Sequence, residues 1–262
     1  MSTPIRFDDG AAYERGMGIW SRLAADVFLD WLAPTPALGW IDVGCGSGAF
    51  SEAIVQRCAA AEVQSIDPSE AQIAFARSRT PTATFQVGDA MALPFTDNRF
   101  DVAVMALVIF FVPDPAKGLA EMVRVVRPGG VVAAYAWDLA GGGFPFQPVQ
   151  DALLAAGVES LRPPSAGVER MDLLQGLWRD AGLEAIETRE IRVWRVFADH
   201  DELWRVSTAT SAGTRAAVSG LSDTQRSTVR ARLRLALPPG PDGRVSYPAR
   251  ANAIKGRVPA GA

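Results

Sequence analysis

The 262-residue chain predicts an α/β protein with a doubly wound, mostly parallel sheet. Three observations carry that expectation. Short apolar runs alternate with stretches of helical spacing across residues 40–138, the pattern of parallel strands covered by helices on both faces. The first run opens into a glycine turn, Gly44-Cys45-Gly46-Ser47-Gly48, which leaves backbone bare where a ligand must come close. The next two runs lead directly to acids, Asp67 and Asp89. An apolar fraction of 48% suits one domain with a substantial core.

The elements follow in order. Tyr13 to Leu32 reads as a helix with Trp20, Leu23, Val27, Phe28 and Trp31 on its apolar side. Trp40–Val43 is a buried strand carrying Asp42 at its end. The helix after the glycine turn, roughly 49–58, points its free amides at any ligand held there. A second strand, Val63–Asp67, precedes Pro68 and a helix over 69–79. Asp67 lies about 20 residues beyond the glycine turn, where an acid faces ribose hydroxyls in a βαβ unit. It can also simply begin the helix before Pro68. Phe85–Val87 is a third strand, followed by Gly88-Asp89-Ala90-Met91 and a Leu93-Pro94-Phe95 exit. Phe100–Leu107 is the fourth, with Phe110–Pro115 after it. A helix over 115–126 stops at Arg127-Pro128-Gly129-Gly130, and Val131–Trp137 is the fifth strand. Asp138 and the triple glycine Gly141–Gly143 follow. That segment reads as a mobile lid or as a sharp, plain linker. Further helices fall near 147–156 and 169–181, a strand over 183–196, a helical insertion over 199–240, and a last strand over Tyr247–Lys255.

The glycine order separates two nucleotide-binding readings. The dinucleotide fingerprint is G-x-G-x-x-G, whereas here Gly44-x-Gly46-x-Gly48 follows an acid two residues earlier. Together with Asp67, Gly88-Asp89-Ala90 and the Arg127–Gly130 turn, this resembles the class I S-adenosylmethionine-dependent methyltransferases, type 11 branch, over residues 40–138. The resemblance implies a Rossmann-like, seven-stranded sheet with an antiparallel last strand, a helical cap and S-adenosyl-L-methionine as cofactor. It assigns cofactor contacts to Asp42, Gly44, Cys45, Gly46, Gly48, Asp67, Pro68, Asp89, Ala90, Met91 and Ala106. Within that set the ribose falls to Asp67, the adenine amino group to Asp89, a ring nitrogen to the Ala90 N–H and the ring face to Met91. Met91 can equally be core. The leading helix would cover the cofactor's methionine end. The whole chain reads as one domain: a cap helix over 1–35, the cofactor core over 36–138, helices and a sixth strand over 139–198, the insertion over 199–240, and the last strand and tail over 241–262.

Composition narrows the chemistry. One histidine and two cysteines cannot assemble a zinc site, and no metal is expected. No apolar run approaches a membrane span. Asp8, Asp9 and Glu14 interrupt any signal sequence, and Cys45 in the glycine turn favours a reducing, cytoplasmic setting. Residues 1–189 carry 14 Lys/Arg and 23 Asp/Glu, net −9; residues 190–262 carry 12 and 6, net +6. Arg226, Arg230 and Arg234 recur every four residues and read as a solvated helix face, opposite Leu221, Val229, Leu233 and Leu237. Aromatic residues suited to stacking RNA bases are absent there, which argues against a nucleic-acid partner. The flanks must then build the acceptor site, with Trp20, Phe110 and Trp137 as apolar lining. Tyr13, Asp138 and His200 are the candidates for a base, although methyl transfer needs one only when the acceptor's proton has a high pKa. The expected activity is methyl transfer to a small, partly hydrophobic molecule at O, N or C. The alternatives are an RNA or protein methyltransferase, or a protein that binds the cofactor without transferring methyl.

Overall fold

A computed structural model describes residues 14–158, 163–209 and 212–260. Tyr13 lies outside them. A wide helical turn over Glu14–Gly18 leads into α1 (Ile19–Leu32). The core then alternates β1 (Gly39–Val43), α2 (Ala49–Arg57), β2 (Glu62–Asp67), α3 (Glu70–Arg79), β3 (Thr84–Val87), β4 (Phe100–Ala106), α4 (Pro115–Val125) and β5 (Val126–Trp137). After it come α5 (Gln147–Leu154), α6 (Met171–Asp180), β6 (Glu184–Phe197), α7 (His200–Thr208), α8 (Ala212–Ser219), α9 (Asp223–Ala236) and β7 (Val245–Arg257).

The seven strands form one sheet in the order β3-β2-β1-β4-β5-β7-β6. The first five run parallel. β7 is antiparallel to both β5 and β6. The strand order reverses between β1 and β4, and at such a switch point a crevice opens at the carboxyl ends of the strands. All the expected cofactor motifs lie at those ends. The α/β expectation, the seven strands and the antiparallel last strand are borne out.

Local chemistry explains why the helices begin where they do. Ser69 caps α3 by accepting from the Gln72 N–H, and Asp114 caps α4 by accepting from the Lys117 N–H with Pro115 next to it. Asp199 caps α7, and Ser222 and Gln225 form a reciprocal capping box on α9. Each such cap satisfies a backbone amide that the helix leaves orphaned.

The structure corrects several details. Arg127–Gly130 is drawn into β5, because Gly129 donates to the Val258 carbonyl while the Val258 N–H donates to Gly130. Gly129 supplies the positive φ of 78° that this kink requires. On α1 the buried face is Trp20, Ala24, Ala25, Phe28, Leu29 and Leu32, whereas Leu23, Val27 and Trp31 are only half-buried. The helix packs on β6, β7 and α2 together, with Trp20 and Phe28 set against Tyr247, Tyr135 and Phe50. On α9, Val229 and Leu233 are buried as expected. The arginines are not simply solvated: Arg230 pairs with Asp201, and Arg226 donates to the Val218 and Leu221 carbonyls.

Candidate functional site

The glycine turn is tied to β2. The Gly44 and Cys45 amides both donate to the Ile66 carbonyl at 2.8 Å, and the Gly46 N–H donates to Asp67 Oδ2 at 2.9 Å. The other Asp67 oxygen accepts from the Ser69 N–H at 2.9 Å. Two motifs 21 residues apart are thereby joined at one carboxylate. Burial raises the Asp67 pKa, and the Ser69 and Gly46 amides act against that rise. Ser69 is the residue that caps α3, so Asp67 does not merely begin that helix.

The three glycines have different reasons for being glycine. All have positive φ, of 79°, 50° and 78°. A Cβ at Gly44 would run into the Val108 isopropyl group, and one at Gly48 would press on Ala76 and Phe85. A Cβ at Gly46 would meet no atom within 4 Å. Only Gly46 therefore faces open space, and a side chain there would fill the cradle. With the N-terminus of α2 just beyond, the turn fits the cofactor expected there.

One strand further over, Gly88 donates to the Asp67 carbonyl, and the exposed Asp89 carboxylate accepts from the Met91 N–H at 2.8 Å. Ala90 and Met91 are half-buried beside it, and Pro68 is exposed next to Asp67. Ala106 ends β4. Leu107 after it has a left-handed φ of 63° and donates its N–H to the Tyr135 carbonyl. A leucine in that conformation is strained. It turns the chain so that Val108 packs on the glycine turn. Neither Leu107 nor Val108 carries a sequence signal that marks it.

Other candidates play different parts. Asp42 is fully enclosed. Its Oδ2 accepts from the Ser51 hydroxyl at 2.6 Å, and Ser51 also bonds Ser65 at 2.9 Å. It thus holds β1, α2 and β2 together beneath the turn. Burial raises its pKa to about 7, with the Asp67 charge adding to the rise. Cys45 is buried too, and burial raises its thiol pKa well above the ordinary range. Asp138, expected as a base, is held by Arg250 Nε at 2.9 Å and by the Gly141 N–H at 2.8 Å. The Gly141–Gly143 segment is a locked turn, since Gly143 accepts from the Arg250 N–H and a Cβ at Gly143 would strike the Arg250 carbonyl. The lid reading does not hold there. His200 is half-buried, with Nε2 2.7 Å from the Leu237 carbonyl, so it links the start of α7 to the end of α9. Trp20 is fully buried against Phe197 and Tyr247 and lines no open surface. Phe110 and Trp137 are almost as enclosed. Glu169, which the sequence did not single out, is wholly buried and accepts from the Ala140 and Gly167 amides.

Over residues 41–134 the sequence matches the methyltransferase domain family. It is 34% identical over 168 residues to a demethylmenaquinone methyltransferase of Renibacterium salmoninarum, covering 62% of this chain and 67% of that one. The chain belongs to the S-adenosylmethionine-dependent methyltransferases. It is also 38% identical over 115 residues to the ubiquinone/menaquinone biosynthesis C-methyltransferase UbiE of Dinoroseobacter shibae. That match covers 42% of this chain and 46% of the relative, so the chain spans about half of that relative's length. Its fold is shared with the methyltransferase in complex with the Haloferax volcanii Trm112 activator: the TM-score is 0.60 at 21% identity, over 98% of this chain and all of that one. The resemblance read from the motifs is borne out. Among the described residues no group of His, Cys, Asp or Glu could hold a metal, and no helix is long and apolar enough to cross a membrane.

Proposed function

We propose that this methyltransferase moves a methyl group from S-adenosylmethionine to a ring carbon of a small, lipophilic, quinone-type acceptor. The observation that carries the cofactor half is the open cradle at Gly46, whose amide is held by Asp67. Asp67 retains acceptor capacity for ribose hydroxyls beyond its two backbone donors, and the exposed Asp89 and half-buried Met91, in the turn after β3, would meet the base. When bound, the cofactor supplies an electrophilic methyl on a sulfonium. The protein's own contribution is to hold the acceptor in line and keep water away.

The acceptor half rests on the relatives' named chemistry and on the absence of a poised base among the described residues. Asp138 is clamped by Arg250, and His200 is tied to Leu237. Attack by an electron-rich, hydroxylated ring carbon would break the methyl–sulfonium bond and leave S-adenosylhomocysteine, and the ring carbon's proton would then pass to water as the ring regains aromaticity, so orientation and desolvation carry the transfer itself. The overall net charge of −3 also suits a small apolar acceptor better than a polyanion.

The test has two parts. Gly46→Leu should fold but lose S-adenosylhomocysteine binding by calorimetry, because its side chain enters the cradle; unchanged affinity would overturn the cofactor assignment. The wild-type protein with methyl-labelled cofactor should label a demethylated quinol and leave RNA and protein unlabelled. Label on a macromolecule in place of the quinol would overturn the acceptor class.

A further inference from the structure

Among the described residues the outer edge of β6 is unpaired. β6 closes the sheet and runs for 14 residues. One face, Ile191, Val193, Arg195 and Phe197, is buried. The opposite face carries Glu190, Arg192, Trp194 and Val196, with the last two 56% and 55% exposed. An edge of this kind is a template for pairing with another chain. Proteins blunt such edges with charges, bulges and inward-pointing charged residues; β6 has a register shift between Glu184 and Glu187 and the buried Arg195, but the charges on its exposed face alternate in sign, with Glu190 2.6 Å from Arg192 in the same strand and 3.6 Å from Arg250 of β7.

We infer that β6 pairs antiparallel with β6 of a second copy, so that two sheets join into one. Two identical antiparallel strands are related by a twofold axis perpendicular to the sheet. Residues directly opposite one another must then share a face, because side chains alternate with a period of two. That restricts the allowed registers to every second one. With Ile191 opposite Ile191 of the second copy, Glu190 stands opposite Arg192 and Arg192 opposite Glu190. On the same face, Trp194 then lies over Thr188. On the other face Glu187 stands opposite Arg195. One allowed step in either direction puts Glu190 against Glu190 or Arg192 against Arg192, and like charges directly opposed disfavour pairing. The register centred on Ile191 also pairs the regular stretch of β6, from Glu187 to Arg195, with itself. The pairing is self-complementary, as a twofold interface requires, and it covers the exposed Trp194.

The experiment uses the full chain. Sedimentation velocity across the micromolar range should show a dimer. Arg192→Glu or Glu190→Arg alone places like charges opposite one another twice per interface, so dimerisation should weaken by roughly tenfold or more. The double variant E190R/R192E restores every opposition and should dimerise like the wild type. Hydrogen exchange of the unaltered protein supplies a measurement that needs no variant: the amides of 187–195 that point away from β7 should lose protection on dilution. A wild type that stays monomeric, single variants that dimerise unchanged, a double variant that fails to recover, or β6 protection independent of concentration would each overturn the pairing.

Discussion

Asp42 keeps its carboxyl group beneath the glycine turn with no exposure to water and with Oδ1 unpartnered among the described residues. Burial lifts its pKa from 3.8 to about 7. The folded protein therefore binds this proton more tightly than the unfolded chain does. The sign follows from proton linkage: stability falls as pH rises from near 4 to near 7 and is flat above, by an amount on the order of 4 kcal/mol. Asp42→Asn removes the charge and keeps an acceptor for the Ser51 hydroxyl. Urea unfolding should show the variant more stable than the wild type at pH 8 and nearly equal to it at pH 4.5. Parallel pH profiles for the two proteins would contradict this account. The same residue shows where sequence reading stops. Its place before the glycines was legible, but its surroundings were not, because Ser51 becomes its partner, and Ser65 the partner of Ser51, only after α2 folds back over β1 and β2. The glycines teach the same lesson. Gly44 and Gly46 look alike in sequence, yet one is crowded by Val108, 64 residues further along, while the other faces open space.

At the level of elements, periodicity located nearly every strand and helix, including the insertion between β6 and β7, because each long element shows a definite apolar pattern. It could not decide how the loops at the carboxyl ends of the strands are fixed. The Gly141–Gly143 segment reads as pliable in sequence, but Arg250, more than a hundred residues away, pins it through Asp138, Gly141 and Gly143. Glu169 does the same for two loops at once, since its carboxylate accepts from Ala140 at 3.2 Å and from Gly167 at 2.6 Å. Asn252 on β7 donates to the Glu169 carbonyl at 2.9 Å and anchors the arrangement to the sheet. Glu169→Gln leaves an amide group where one backbone N–H needs an acceptor. The loss should be about 1.5–3 kcal/mol of unfolding free energy, measured by urea titration. A variant as stable as the wild type would show that the two loops hold their shape without this carboxylate.

For the molecule as a whole, chain direction brings both flanks to the cofactor end of the sheet. α2 descends from the glycine turn to Arg57, which pairs with Asp26 and Asp30 on α1 at 2.7 and 2.6 Å. The later part of α1 therefore lies at the far end of the sheet, and its beginning lies near the site. Arg195, close to the carboxyl end of β6, donates to the Gly16 carbonyl at 2.7 Å, which places the start of the helical segment there. The insertion leaves β6 at that same end, and α7 touches the turn before α1. This convergence follows from the topology, since β6 rises and α1 falls across the same face. It predicts that ligand binding is felt outside the core motifs. Hydrogen exchange with and without S-adenosylhomocysteine should show protection at residues 44–48, 67–69 and 89–92, and also over 14–20 and 199–208. The locked Gly141–Gly143 turn should change little, because its amides are bonded already. If protection stops at the core motifs and both flanks exchange as before, the flanks do not close over the transferred methyl. The face left open would then suit a macromolecular acceptor better than a small lipophilic one.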